Sequence, residues 1–244
     1  MPKAEKNLIG RFPGTLERIS TMRILQTNLC RGRAAHDLAY ATARHMDIDI
    51  IMAGEPNKNI IKSNDWIKDH KCDVAFYFLN KKTEVIKVNT FDGWIYLKLR
   101  HFAIYGCYIS PNIPQEQFQR KVDHIMNHLN QNKVDAILMG DINSKSVQWG
   151  SPINDRRGEY WTEWMSRLNL VVHNSGDTPT FHRGNSKSFI DVTCSTQRMV
   201  RMITAWEVLP IENLADHAYI AFKVNCGTDR RKKPAAEKEA YLYD

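Results

Sequence analysis

Apolar positions recur along the chain with two periods. Short apolar and β-branched runs at 22–29, 48–53, 74–79, 85–88, 94–99, 102–109, 205–209 and 218–224 read as strands, with a further extended segment at 170–173. Three other stretches repeat at helical spacing. They are 34–46, with Ala34, Leu38, Ala41 and His45; 114–130, opened by Pro114, with Phe118, Val122, Ile125, Met126 and Leu129; and 159–168, with Trp161, Trp164, Met165 and Leu168. These stripes are core faces, and their tryptophans are for packing. Asn80-Lys81-Lys82 and Asp92-Gly93 punctuate the strands of the first half as an antiparallel meander. Gly184-Asn185 marks a hairpin turn between 178–181 and 188–193. Two strand-helix-strand passages beside a meander predict an α/β (α+β) class with more than one sheet.

The apolar run that opens at Ala136 stops at Gly140 and presents Asp141 and Asn143 with one residue between them. Side chains alternate along a strand, so both are expected to reach a common target. An ordinary Asp-x-Asn turn explains that tetrapeptide equally well. The same event recurs, however: strands also end at Asn28, Glu55, Tyr108 and Asp191, and Asp216-His217 precedes the last one. Taken singly each has an ordinary explanation, but together they mark one edge of the fold as chemical.

With 244 residues and 43% hydrophobic composition the chain can build one large core, and no Gly/Ser/Pro-rich linker divides its middle. We expect a flexible lead-in over 1–21, a domain over 22–225 and a charged linker or disordered tail over 226–244. No apolar run is long enough to span a bilayer and the N-terminus lacks a signal-peptide pattern, so no membrane partner and an intracellular, reducing setting are expected. Cys30, Cys72, Cys107, Cys194 and Cys226 are odd in number and scattered, which predicts free thiols with no disulfide partner and no zinc site. The formal charge is +7, of which about +4 belongs to 22–225, a mild excess suited to a polyanion.

The ordered series Asn28, Glu55, Tyr108-Ile-Ser-Pro-Asn112, Gly140-Asp141-Ile-Asn143, Ser188-Phe-Ile-Asp191-Val-Thr193 and Asp216-His217 resembles the exonuclease-endonuclease-phosphatase superfamily. Within it, the chain is similar to the apurinic-endonuclease-like endonuclease domains of non-LTR retrotransposons, in detail the branch that targets telomeric repeats. The resemblance spans about residues 22–224. It implies two packed mixed β-sheets flanked by helices, the DNase I-like four-layer sandwich, with the site at one edge between the sheets. It also implies Mg2+- or Mn2+-assisted hydrolysis of a phosphodiester in double-stranded DNA, a nick that primes reverse transcription, a reverse transcriptase domain in the same polyprotein, and nuclear localisation.

Phosphodiester anions repel a nucleophile, so a hard cation on a carboxylate must neutralise charge. Glu55 is the best such ligand, with Asn28 and Asp216 assisting. Asp141 is the general acid/base candidate, Asn143 holds the attacking water or a phosphate oxygen, and His217 donates to the phosphate while Asp191 orients its ring. By resemblance, Tyr108, Asn112, Thr180 and Ser188 are neutral donors to phosphate oxygens. Loop cations at Arg31, Arg33, Lys58, Lys145, Arg156 and Arg157, and the hairpin with Arg183, Asn185 and Lys187, are expected to engage DNA. In abasic-site repair relatives the residue two after the matching asparagine is a metal-holding aspartate. Here it is Cys30, a poor magnesium ligand, which argues against a repair role. A phosphatase of the same superfamily and a non-catalytic nucleic-acid-binding module remain the alternatives.

Overall fold

A computed structural model describes residues 21–226. The expected lead-in and tail lie outside the described residues. Fourteen strands and three α-helices follow in order: β1 (Thr21–Asn28), α1 (Arg33–His45), β2 (Ile50–Gly54), β3 (Trp66–Lys68), β4 (Val74–Phe78), β5 (Val85–Phe91), β6 (Trp94–Leu99), β7 (Ala103–Tyr108), α2 (Gln115–Asn132), β8 (Ala136–Asp141), α3 (Arg156–Arg167), β9 (Leu170–Val172), β10 (Phe181–Arg183), β11 (Ser186–Ser188), β12 (Asp191–Thr196), β13 (Ile203–Val208) and β14 (Ile220–Asn225).

Two six-stranded mixed sheets form, in the orders β13-β14-β1-β2-β4-β3 and β5-β6-β7-β8-β12-β9, while β10 and β11 pair as a separate hairpin. The only parallel neighbours among the described strands are β1 with β2 and β7 with β8, each joined through a helix. Between the sheets lies a core that includes Ile24, Met52, Phe76, Ile104, Ile137 and Phe222. Helix α1 covers the outer face of the first sheet through Ala35, Ala39 and Ala43. Helices α2 and α3 cover the second through Phe118, Val122, Met126, Trp161 and Met165. This is the expected helix-sheet-sheet-helix sandwich, and the apolar stripes of the helices are what bury it.

The sheets approach closely where Gly106 of β7 meets Phe76 of β4; a Cβ there would stand 2.5 Å from the phenyl ring. Strand β3, of three residues, is not among the strands that the apolar pattern predicts. It is an edge strand, too short to show a period. Strand β5 also runs three residues past its expected end, because Asn89 and Thr90 pair with Tyr96 and Ile95 despite their polarity. Helix α3 starts at Arg156 and not at 159, since Asp155 caps it by accepting from the Gly158 N–H at 2.7 Å. All five cysteines are free, and no described helix is long and apolar enough to cross a membrane.

The topology aims the chemistry. Parallel strands end on the same side, so β1, β2, β7 and β8 bring Asn28, Glu55, Tyr108 and Asp141 to one edge. Antiparallel neighbours begin on that side: Asp191 opens β12 in register with Asp141, and His217 lies just before β14, the antiparallel partner of β1.

Candidate active site

Those strand ends border a cleft of about 360 Å³ lined by, among others, Cys30, Glu55, Tyr108, Asp141, Asn143 and His217. Its floor is a buried polar chain. The imidazole Nδ1 of His217 meets Asp191 Oδ2 at 2.8 Å, and the Nε2 lies 3.8 Å from Asp141 Oδ2. On its other side, Asp141 Oδ2 accepts from the Asn28 amide nitrogen at 2.9 Å, and the same Asn28 nitrogen reaches Glu55 Oε2 at 3.2 Å. Asn28 Oδ1 accepts from the Cys30 N–H at 2.9 Å, which fixes the amide's orientation.

Burial works against a charged His217, but the carboxylates of Asp191, Asp141 and Glu55 outweigh it and lift the imidazole to about 9. Asp141 is raised to about 7, first by burial and then by Asp191, although His217, Asn28 and the Asn143 N–H pull it down. The site therefore holds a proton donor and a carboxyl poised near neutrality side by side. That pairing suits general acid and base work. Burial and the neighbouring Glu55 and Asp141 push the Tyr108 phenol upward, so it stays a neutral donor.

Asp141, Asp191 and His217 also lie within 4.8 Å of one another, close enough to surround an ion. The same trio has the geometry of a hydrogen-bonded relay, with a carboxylate facing each ring nitrogen of His217. Glu55 fits a hard divalent cation better: its carboxylate is part-exposed on the cleft wall, touched by the Asn28 amide and by the Arg31 guanidinium, whose Nε stands 3.9 Å away. Cys30 does not fit one. Burial and the Asp216 and Glu55 charges raise its thiol, leaving a neutral sulfur.

Backbone strain accompanies the function. Glu55 and Asn143 both adopt left-handed conformations, with φ of 40° and 44°. Gly140, with φ of 146°, is the turn that lets β8 deliver Asp141; a Cβ there would sit 1.8 Å from the Cys107 carbonyl oxygen.

The structure corrects several expected roles. Strand alternation does not bring Asn143 to the cleft, because β8 ends at Asp141. Asn143 lines it from a left-handed turn, its N–H donating to Asp141 Oδ1 and its amide to the Ile109 carbonyl. Arg31 is spent inside the protein, on the Cys72 carbonyl, the Asp73 carboxylate and the Pro56 carbonyl. Arg157 is likewise internal, donating to the carbonyls of Ser110, Pro111, Ile113 and Asn143. Thr180 is buried, and its hydroxyl accepts from the N–H groups of Ile190 and Asp191, so it anchors β12 instead of facing a phosphate. The Asp216 carboxylate is taken by Arg183 and stands outside the Asp141, Asp191 and His217 group.

Lys145, Arg183 and Ser188 do line the cleft. Arg33, Lys58, Asn112, Arg156, Asn185 and Lys187 are exposed outside its lining. Two supports went unread in the sequence. Gln26 of β1 and Thr193 of β12 are buried and tie the two sheets directly below the site, the Thr193 hydroxyl donating to Gln26 Oε1 at 2.9 Å. Asn174 holds the start of β12 through the Asp191 carbonyl and the Thr193 N–H. A polar residue inside an apolar strand is the one signal that Gln26 offered.

Residues 102–221 match a family model described as endonuclease-reverse transcriptase. The endonuclease domain of TRAS1, a telomere-specific non-LTR retrotransposon, is similar in structure at 24% identity and a TM-score of 0.72, with 85% of this chain and 100% of that chain covered. An AP endonuclease from Archaeoglobus fulgidus is similar at 13% identity and a TM-score of 0.67, covering 82% of this chain and 98% of its own. No curated protein matches. The family resemblance drawn from the strand-end residues is borne out by the first match, and the two-sheet fold by the two structures.

Proposed function

We propose that this protein is a metal-dependent DNA endonuclease: the segment 102–221, which carries Tyr108, Asp141, Asn143, Asp191 and His217, matches the endonuclease-reverse transcriptase family model. The carrying observation is the buried chain from Asp191 through His217 to Asp141, Asn28 and Glu55 on the cleft floor. His217, as imidazolium, donates to a phosphate oxygen and stabilises the charge that builds there. Asp141, ionised, accepts the proton of the attacking water. Water oxygen bonds to phosphorus, the bond to the 3′ oxygen breaks, that oxygen takes a proton from solvent, and a 3′-hydroxyl and a 5′-phosphate remain. Tyr108 stays protonated as a hydrogen-bond donor at the mouth. Glu55 would hold Mg2+ or Mn2+, which supplies charge neutralisation at the phosphoryl oxygens.

Lys145 in the cleft lining and the exposed Arg156, Asn185 and Lys187 outside it are the phosphate contacts of this reading, which suits a duplex. The nick provides a primer for a reverse transcriptase domain of the same polyprotein, in the nucleus. We propose telomeric repeats as the target, on the likeness to a domain whose whole length this chain matches. The test is incubation with supercoiled plasmid, with arrays of telomeric repeats and with inositol and nucleotide phosphates, in magnesium and in chelator. Magnesium-dependent nicking with ends clustered in the repeats is expected. Release of inorganic phosphate without nicking would place the protein among the superfamily's phosphatases.

A further inference from the structure

The β10-β11 hairpin pairs with neither large sheet. It is held instead by the segment that carries His217. Phe181 forms an isolated bridge with His217, and its ring packs edge-on against the imidazole at 4.9 Å. The His182 N–H donates to the Asp216 carbonyl at 2.7 Å, and the Ala218 N–H to the Thr180 carbonyl at 2.8 Å. Outermost, the Arg183 guanidinium lies 5.9 Å from the Phe181 ring and grips Asp216 Oδ2 through Nε at 2.7 Å and a terminal nitrogen at 2.5 Å. Both nitrogens converge on the same carboxylate oxygen, as charge-assisted bonds of the stronger kind. Each of these ties ends on residues 216–218.

We propose that Arg183 is a positioning residue for His217: its grip on Asp216 clamps the hairpin to the histidine's segment, so the two are placed as one unit. This rests on the nuclease reading of the cleft. A cation serving only as a phosphate contact would point away from the protein, whereas this one is bound to a carboxylate one residue from the imidazole. The Arg183 and Asp216 side chains are 70% and 29% exposed. Exposed pairs contribute at most about 1 kcal/mol to stability, so variants of either residue fold.

The experiment compares Arg183→Ala, Asp216→Asn and the charge swap Arg183→Glu with Asp216→Arg. Each is followed by nicking kinetics and by the His217 ring resonance, recorded without DNA or metal and assigned with His217→Gln. Misplacing a catalytic group by a fraction of an ångström costs roughly tenfold or more in rate. The single variants are expected to lose about tenfold in kcat with KM changed less than about twofold, and to shift the His217 resonance. The swap is expected to recover most of both. A rise in KM at unchanged kcat, a swap no better than the worse single variant, and a stationary His217 resonance would overturn the clamp. If the wild type nicks no DNA while the resonance still shifts and is restored by the swap, the nuclease reading fails and the clamp stands.

Discussion

Asp191→Asn removes a charge while leaving a side chain of the same shape to accept from the His217 ring. In the native protein, Oδ2 of Asp191 lies 2.8 Å from Nδ1, and both side chains are about 5% exposed or less. Asp191 is the leading influence that raises His217 to about 9 against the burial that lowers it. Without it the ring falls from about 9, since burial is then opposed only by Asp141 and Glu55. At about pH 7.5 the wild-type ring is protonated, and the variant holds less of its ring in that form. Loss of a positioned proton donor costs about 10²- to 10⁴-fold in rate. The effect on stability has a definite sign: a raised folded-state value gives stability that is full below 6.5 and is lost as pH rises toward about 9. The shift is worth on the order of 3 kcal/mol at low pH. The assay is a pH series of nicking rates and thermal unfolding, with the His217 ring titrated by NMR. A variant whose ring titrates as in the wild type and whose rates keep the native pH profile would refute the reasoning.

Three further outcomes are expected. Asp141→Asn should end nicking yet raise stability at pH 8 by on the order of 4 kcal/mol, with little gain at pH 4, because a carboxyl raised to about 7 costs folding energy once it ionises; unfolding at both pH values checks the sign. Glu55→Gln should remove Mn2+ binding measured by electron paramagnetic resonance while leaving the unfolding midpoint within a few degrees, since Glu55 is part-exposed; retained binding would move the metal to other residues. Gly140→Ala should destabilise the fold by roughly 3 kcal/mol or more, since its Cβ would collide with the Cys107 carbonyl; a soluble variant with native stability would contradict the placement of that turn.

The catalytic floor was legible in the sequence because parallel strands end on one side. A polar residue terminating an apolar run is visible without coordinates, and Asn28, Glu55, Tyr108 and Asp141 all have that signature. Asp191 and His217 were read in the same series, although they stand at or before the starts of β12 and β14 and reach the edge because those strands run antiparallel to β8 and β1. The cations were the least legible. Arg31 and Arg157 look in sequence like Lys145, yet their guanidiniums fold back onto main-chain carbonyls, and only the surrounding loops decide that. Thr180 was misplaced for the same reason, since a buried hydroxyl serving two N–H groups and an exposed one facing a phosphate share one letter. Asn143 reached the cleft by a left-handed turn that strand periodicity cannot foresee.

Most direct of all is single-turnover nicking of supercoiled plasmid by wild type and Asp141→Asn at equal DNA occupancy, in magnesium and in chelator. The account predicts open-circle product bearing a 3′-hydroxyl, extendable by a polymerase without end repair, from wild type in magnesium only, and none from the variant. Equal nicking by both proteins, or nicking that persists in chelator, would contradict it.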